Sequence, residues 1–277
     1  MAPIPTKVSD RLIAGVKKFQ PILAAAKSRD INESDTVLIL TDMLAEIFGY
    51  DKYSEITSEF AIRGTYCDLA TRVNGKILFL VEAKAIGADL KEAFIKQAVD
   101  YAANLGVDWV ILTNGVFWRV YKISFTKPIE HEVILEFDFL SLNMKNAEHI
   151  DYLWLLSREG WLKSLLEEFH EQKQVLSRFS IGALIISDSI LDTIRKELKK
   201  ISPDIKIEKD QIKKVLTQEI IKRDVLEGDK AQEAVKNINR AMSRIVKAKE
   251  KLKSSSLKPI PSDAAQTTEE AIPLEAN

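Results

Sequence analysis

The sequence contains very few of the side chains that bind soft metals or form disulfides. A single cysteine, Cys67, among 277 residues excludes an intramolecular disulfide and a multi-cysteine zinc site. The three histidines, His131, His149 and His170, lack the close spacing that is typical of paired metal ligands. If the protein uses a metal ion, carboxylates must therefore hold it.

Long hydrophobic runs and an excess of charge of one sign are also missing. The longest apolar stretches, residues 77–81 and 181–186, are far shorter than the ~20 residues that cross a bilayer. The polar start of the chain does not resemble a secretion signal, so we expect a cytoplasmic protein without membrane contact. Because 40 basic and 41 acidic residues leave a net charge of −1, any polyanion site must be local.

The order of hydrophobic patterns predicts an α/β domain followed by a helical region. Helical spacing is expected in residues 1–32, with a break at Pro21, and in residues 33–48 and 89–105. Short apolar segments predict five strands, at residues 56–63, 65–73, 76–84, 108–113 and 116–123. We expect a domain over residues 1–147 with a mixed sheet flanked by helices, a helical region over 148–253, and a disordered tail over 254–277.

Charged residues end a strand that is otherwise predicted to be buried. Glu82 and Lys84 close the segment KILFLVEAK and share one face, since side chains alternate along a strand. Buried charges are costly unless they are paired or bound to a metal. A strict two-residue turn at Asn74-Gly75 would place Asp68 opposite Val81, whereas a three-residue loop or a β-bulge places it opposite Glu82. We predict the second register.

Two carboxylates and a lysine on one face suit a particular chemistry. Carboxylate oxygens bind Mg²⁺, and an adjacent lysine can orient a water and stabilise negative charge on a phosphoryl group. Metal-assisted hydrolysis of a phosphodiester follows, although such spacing also arises by chance in a chain with 29% charged residues. Gln97 and Tyr101, four residues apart on the next helix, are a second signal. The alternative is a core tyrosine beside a solvated glutamine.

Four ordered segments of the sequence resemble the PD-(D/E)XK nuclease superfamily, and more narrowly the N-terminal nuclease domain of the restriction subunit of type I restriction enzymes. The segments are ITSEFAIRGTYCDLATRV, ILFLVEAKA, FIKQAVDYA and VILTNGVFWRVYKI. The resemblance implies a restriction-endonuclease-like fold. Asp68 matches the first catalytic acid of the family, although Cys67 stands where its motif has proline. The other matching residues are Glu82 and Lys84 of the Glu-x-Lys pair and Gln97 and Tyr101 of the Gln-x-x-x-Tyr element.

The resemblance implies a Mg²⁺-dependent DNA endonuclease, with Mn²⁺ as an alternative ion, that leaves a 5′-phosphate. Asp68, Glu82 and the main-chain carbonyl of Ala83 would hold the metal. Lys84 would position the attacking water, and the Gln-x-x-x-Tyr pair would support Lys84 or the DNA phosphate. Two further acids, Glu46 and Glu59, match acids often found in the family, with a surface or capping role as the alternative for each.

The sequence leaves the context of this activity open. No Gly-x4-Gly-Lys-Ser/Thr loop is present, so we expect no ATP binding, unlike in the motor-bearing type I subunits. DNA is the expected partner, together with either a second copy of the chain or a larger restriction or defence complex. The alternative is a non-catalytic nucleic-acid-binding or scaffold module. Trp154 and Trp161 are expected in the core. The basic run at residues 195–200 is expected either to lie on a solvated helix face or to contact phosphates.

Overall fold

The computed structural model describes residues 3–62 and 65–255. It divides the chain into two compact units, Met1–Lys173 and Gln174–Asn277. The first unit holds the sheet, and the second is helical over its described residues. The position between residues 147 and 148, where the sequence predicts a domain boundary, lies inside the first unit. Residues 254 and 255 of the predicted disordered tail are the end of the last helix, and the rest of that tail, residues 256–277, lies outside the described residues.

One mixed sheet forms the centre of the first unit, and its strands follow the chain in the order β1-β2-β3-β4-β5-β6. Strands β3 and β4 pair in parallel, and the other neighbours pair antiparallel. The strands are β1 Ile56–Ile62, β2 Thr65–Val73, β3 Lys76–Ala83, β4 Trp109–Thr113, β5 Phe117–Ser124 and β6 Glu130–Asp138. The five predicted strands are all present. The parallel pairing requires a crossover connection, and the helix between β3 and β4 supplies it by returning the chain to the end of the sheet where β3 begins.

The sixth strand, β6, is absent from the sequence prediction. Charged side chains interrupt its apolar pattern, and only Ile134, Leu135 and Phe137 of its residues are buried hydrophobics. A register shift opposite Val120 and Tyr121, where Ile134 is the extra residue in β6, further breaks the simple alternation. Pairing with β5 therefore determines this strand more than its own periodicity does.

Helices cover both faces of the sheet, which confirms the α/β fold class. One face packs on α1 and α2 and on helices that follow the sheet, and the other packs on α3. The helices of the first unit are α1 Thr6–Ser28, α2 Glu33–Glu46, α3 Glu92–Leu105, α4 Ala147–Leu156, α5 Arg158–Leu162 and α6 Leu165–Val175. Helix α6 extends two residues past the boundary between the units. The two sheet faces thus have different helical partners, and the Glu82 side chain near the end of β3 lies on the α3 face.

The expected helix break at Pro21 is wrong, because α1 continues through this residue. Proline removes one backbone hydrogen bond from a helix interior. Phe19 and Leu23, on either side of it, are buried in the core with Leu12 and Val16. Burial of this apolar face keeps α1 helical across the proline.

Trp154 and Trp161 lie in the core, as predicted. Trp154 is fully buried, and Trp161 stacks on Phe79 of β3 with ring centroids 5.1 Å apart. Both indoles are therefore packed against the first unit's apolar side chains rather than presented for base stacking.

The second unit consists of short helices and one long helix. They are α7 Arg178–Ile185, α8 Asp188–Ile201, α9 Lys209–Val215 with a π-helical turn at Leu216–Ile220, α10 Arg223–Leu226 and α11 Asp229–Ser255. A small core of Leu191, Ile212 and Leu216 lies between α8 and α9, while α11 packs along α7. In the part of the chain that the structure describes, no helix has the length and apolar character needed to span a bilayer.

Candidate functional site

The hairpin of β2 and β3 sets the register of the candidate site. The turn is the two-residue form, since Val73 pairs with Lys76, but a β-bulge follows it and shifts the pairing so that Leu69 faces Val81. Continuing this register places Asp68 opposite Glu82. The predicted register is therefore correct, and the bulge produces it rather than a longer turn.

Glu82 lies near the end of β3 with only 3% of its surface exposed. Its Oε1 accepts a hydrogen bond from Lys84 Nζ at 2.9 Å. Its Oε2 is buried and has no hydrogen-bond partner among the described residues. Burial raises the pKa of this carboxyl above its ordinary value, and the hydrogen bond and charge of Lys84 only partly offset this effect. One oxygen of a buried carboxylate is thus free to accept a further ligand.

Asp68 is tied to the backbone directly after Glu82. Its Oδ2 accepts a hydrogen bond from the Ala83 N–H at 2.7 Å. Burial raises the pKa of Asp68, while this backbone bond and the charge of Lys84 act in the opposite direction. This hydrogen bond fixes the Asp68 carboxylate next to the backbone of Ala83.

Lys84 contacts the acidic groups around it. Its Nζ donates to Glu82 Oε1, to the Ala83 carbonyl at 2.6 Å, and to Glu33 Oε2 at 3.4 Å. The ammonium also lies 5.5 Å from the ring centroid of Phe94 on α3. This arrangement fixes a cation beside the two carboxylates at the end of β3.

Neighbouring carboxylates determine the protonation of Lys84. The side chain is only 14% exposed, and this burial alone would lower its pKa. The hydrogen bond and charge of Glu82, together with the charges of Glu33 and Asp68, outweigh burial and hold the pKa above its ordinary value. Lys84 is therefore a charged ammonium at neutral pH, suited to stabilise negative charge and unsuited to act as a free base.

Glu33, which the sequence interpretation did not include, is the third acid at this site. It is the first residue of α2, whose N-cap Asn32 accepts a bond from the Asp35 N–H. An acid in the first turn of a helix is ordinarily explained by its favourable interaction with the helix dipole. The position of Glu33 in the sequence therefore did not indicate a functional role. The fold brings it to Lys84 across 51 residues of chain.

The two further candidate acids have different surroundings. Glu46 forms an ion pair with Lys18, and in the described part of the chain it makes no hydrogen bond to the acidic site. Glu59 is exposed on β1 beside Asp68 in the strand register, and its φ of 48° is uncommon for a non-glycine residue. Its role in metal binding stays a prediction.

Gln97 and Tyr101 lie on α3 and bond to each other. The Gln97 amide donates to the Tyr101 hydroxyl, and Tyr101 is buried in the α3 core while Gln97 is exposed. Neither forms a hydrogen bond to Asp68, Glu82 or Lys84 within residues 3–62 and 65–255. From α3, it is Phe94 that contacts Lys84, and a role of the Gln-x-x-x-Tyr pair toward DNA stays a prediction.

Asn114 connects the sheet to the loop that follows Lys84. It is 2% exposed, and its amide donates to the carbonyls of Ile86 at 3.2 Å and Ala88 at 2.9 Å. Its Oδ1 accepts bonds from the N–H groups of Val116 and Phe117. The side chain thereby fixes the path of the chain directly after the candidate site.

We expect Asn114→Ala to destabilise the fold by about 3 kcal/mol, because it leaves several buried polar groups without partners. Urea unfolding followed by tryptophan fluorescence measures this loss. Asn143→Ala is the matched control, since Asn143 is exposed and its side chain accepts a single local bond from Lys145. Equal stability of the two variants would contradict the role of Asn114.

The donor set at the end of β3 fits a hard divalent cation. Mg²⁺ is commonly bound by one or two carboxylates and keeps several waters. Asp68, Glu82 and the Ala83 carbonyl are oxygen donors on adjacent backbone, and the unpartnered Glu82 Oε2 is the observation that favours a ligand there. Among the described residues, no group of three or more His, Cys, Asp or Glu side chains forms a metal-binding cluster, so the fit rests on two carboxylates and one carbonyl.

Comparison with known proteins finds a family model that matches part of the chain. Residues 53–128 match the family model described as the type I restriction enzyme R protein N terminus. The match spans β1 to β5 and includes Asp68, Glu82 and Lys84. No curated protein and no solved structure matches the chain. The resemblance to the N terminus of type I restriction R proteins is thereby confirmed over these residues.

Proposed function

We propose that the protein is a Mg²⁺-dependent DNA endonuclease that hydrolyses phosphodiester bonds at the end of β3. The observation that carries the proposal is the buried Glu82 carboxylate, with one oxygen bonded to Lys84 and the other without a partner among the described residues. A buried, half-satisfied carboxylate destabilises a fold, so its presence favours a functional role.

Each residue of the site has a proposed role in hydrolysis. Asp68, Glu82 and the Ala83 carbonyl would hold Mg²⁺, with Mn²⁺ as a substitute. The bound cation supplies Lewis acidity toward a phosphoryl oxygen and lowers the pKa of water. Lys84 would orient the water and stabilise the charge that develops on the phosphoryl group, because its ammonium is fixed by Glu82 and Glu33.

In the proposed reaction, one bond to phosphorus forms and one breaks. The oxygen of the water bonds to phosphorus while the bond from phosphorus to the 3′ oxygen breaks. One proton of the water is released to solvent, and the leaving 3′ oxygen takes up a proton. The products are a 5′-phosphate and a 3′-hydroxyl. The proposed hydrolysis itself needs no ATP.

Cleavage of supercoiled plasmid tests the proposal. We expect the protein to nick the plasmid in Mg²⁺ or Mn²⁺ but not in EDTA, and we expect Asp68→Asn to reduce nicking by at least about 10²-fold. Asp108→Asn is the matched control, because Asp108 is an exposed acid of the same unit that pairs with Lys122. Plasmid binding without any cleavage in either metal would instead support the non-catalytic nucleic-acid-binding module, acting in a restriction or defence complex.

A further inference from the structure

Helix α11 of the second unit carries basic side chains along one face, which we call the basic stripe. The stripe consists of Lys236, Arg240, Arg244 and Lys247. With 3.6 residues per turn, these positions fall within an arc of about 80° and extend over about 16 Å of helix. Four positive charges thus form a single line along the helix.

The stripe is exposed because the opposite face of α11 is used for packing. Ala231 and Ala234 are buried where α11 packs along α7. All four side chains of the basic stripe are exposed, and none forms an ion pair within the described residues. Among the described side chains, these charges are therefore exposed to solvent without a neutralising partner.

Helix α8 in the same unit shows a different arrangement of basic residues. Arg195 pairs with Asp192 at 3.1 Å, and Lys200 pairs with Glu197 at 2.7 Å. Two of the four basic side chains in the run at residues 195–200 are thus paired with acids of the same helix. In α11, by contrast, none of the four stripe residues is paired among the described side chains.

The local charge of the second unit supports binding of a polyanion. Residues 174–255 contain 19 Lys and Arg against 12 Asp and Glu, although the whole chain is nearly neutral. We propose that the basic stripe binds the phosphate backbone of duplex DNA. Stripe residues four positions apart are separated by about 6 Å along the helix axis. A DNA duplex carries one phosphate charge about every 1.7 Å of its axis, so each stripe residue faces several phosphates.

The composition of α11 favours a duplex over other polyanions. Binding of single strands uses aromatic side chains for base stacking, and residues 229–255 contain no Phe, Tyr or Trp. A helix that lies on a membrane inserts its apolar face, whereas that face of α11 packs on α7. Backbone contact by basic side chains is independent of sequence, so the stripe would bind duplexes of any sequence with similar affinity.

This inference goes beyond the proposed cleavage, and its failure can be recognised separately. Binding is measured on the full chain in EDTA, where metal-dependent hydrolysis is absent. A fluorescent 30-base-pair duplex is titrated at several KCl concentrations, and the slope of log K against log salt reports the number of phosphates neutralised. We expect Arg240→Gln/Arg244→Gln to reduce the magnitude of this slope by about 2, and to weaken binding to all duplex sequences alike.

The matched control is Arg195→Gln/Lys200→Gln, which removes the same two charges from α8. We expect it to leave the slope close to that of the unaltered protein. An equal reduction in both double variants would contradict the proposal, since it would indicate a general charge effect. Unchanged duplex binding by the α11 variant would also overturn it, as would loss of binding only to single strands or to vesicles of anionic lipid. Far-UV circular dichroism of both variants verifies that the helices are intact.

Discussion

Replacing Lys84 with methionine is expected to reduce Mg²⁺-dependent DNA cleavage by about 10²- to 10³-fold while leaving metal binding in place. Methionine keeps the length of the side chain but removes the ammonium, which lies 2.9 Å from Glu82 Oε1 and 2.6 Å from the Ala83 carbonyl. A donor aimed at developing charge contributes this magnitude in other hydrolytic sites. Single-turnover cleavage at saturating protein measures the chemical step, and calorimetry with Mn²⁺ measures metal affinity.

Lys76→Met is the matched control for this variant. Lys76 begins the same strand, β3, and is exposed. We expect its loss to change the cleavage rate less than about twofold. A Lys84→Met protein that is folded and cleaves at the wild-type rate would exclude Lys84 from the chemistry. Equal losses in the two variants would indicate a general effect of charge on DNA binding.

The second large effect is expected for Glu82→Gln, which should abolish both cleavage and the stabilisation of the fold by metal. A ligand at about 100 times its Kd stabilises the folded state by about 2.7 kcal/mol. For a protein of this size, that corresponds to a rise in Tm of about 5–10 °C in excess Mg²⁺ or Mn²⁺. Glutamine keeps the shape of the buried side chain but is a poor metal ligand, so the rise should disappear.

Glu46→Gln provides the control for the loss of an acid. The structure pairs Glu46 with Lys18, whereas the family resemblance made it a candidate metal ligand. We expect this variant to retain the metal-dependent rise in Tm and the full cleavage rate. Loss of either property in Glu46→Gln would show that the acidic site has been placed incorrectly. Differential scanning calorimetry in EDTA and in metal separates these effects from simple loss of stability.

The strands that build the site could be predicted because their sequence signals are local. Asn74-Gly75 fixes the turn between β2 and β3, and the apolar run before Glu82 predicts a buried strand that ends in charge. The register that places Asp68 opposite Glu82 also requires a β-bulge. The sequence allowed either this bulge or a three-residue loop. The requirement that Asp68 and Glu82 share a face was sufficient to choose between the registers.

Other features depend on contacts between distant segments and left no local signal. Glu33 reaches Lys84 through the packing of α2 on the sheet, although its place in a first helical turn has an ordinary explanation. The strand β6 forms on β5 despite its charged pattern, and α1 passes through Pro21 because its apolar face is buried. For β6 and α1, tertiary packing overrides a local preference.

The most direct test of the metal site is anomalous diffraction from crystals grown or soaked with Mn²⁺. We expect one anomalous peak at about 2.0–2.3 Å from oxygens of Asp68 and Glu82 and from the Ala83 carbonyl, with water completing the coordination. The peak should be lost in crystals of Glu82→Gln. Crystals in saturating Mn²⁺ that show no peak at the end of β3, or a peak held by other residues, would contradict the proposed metal site.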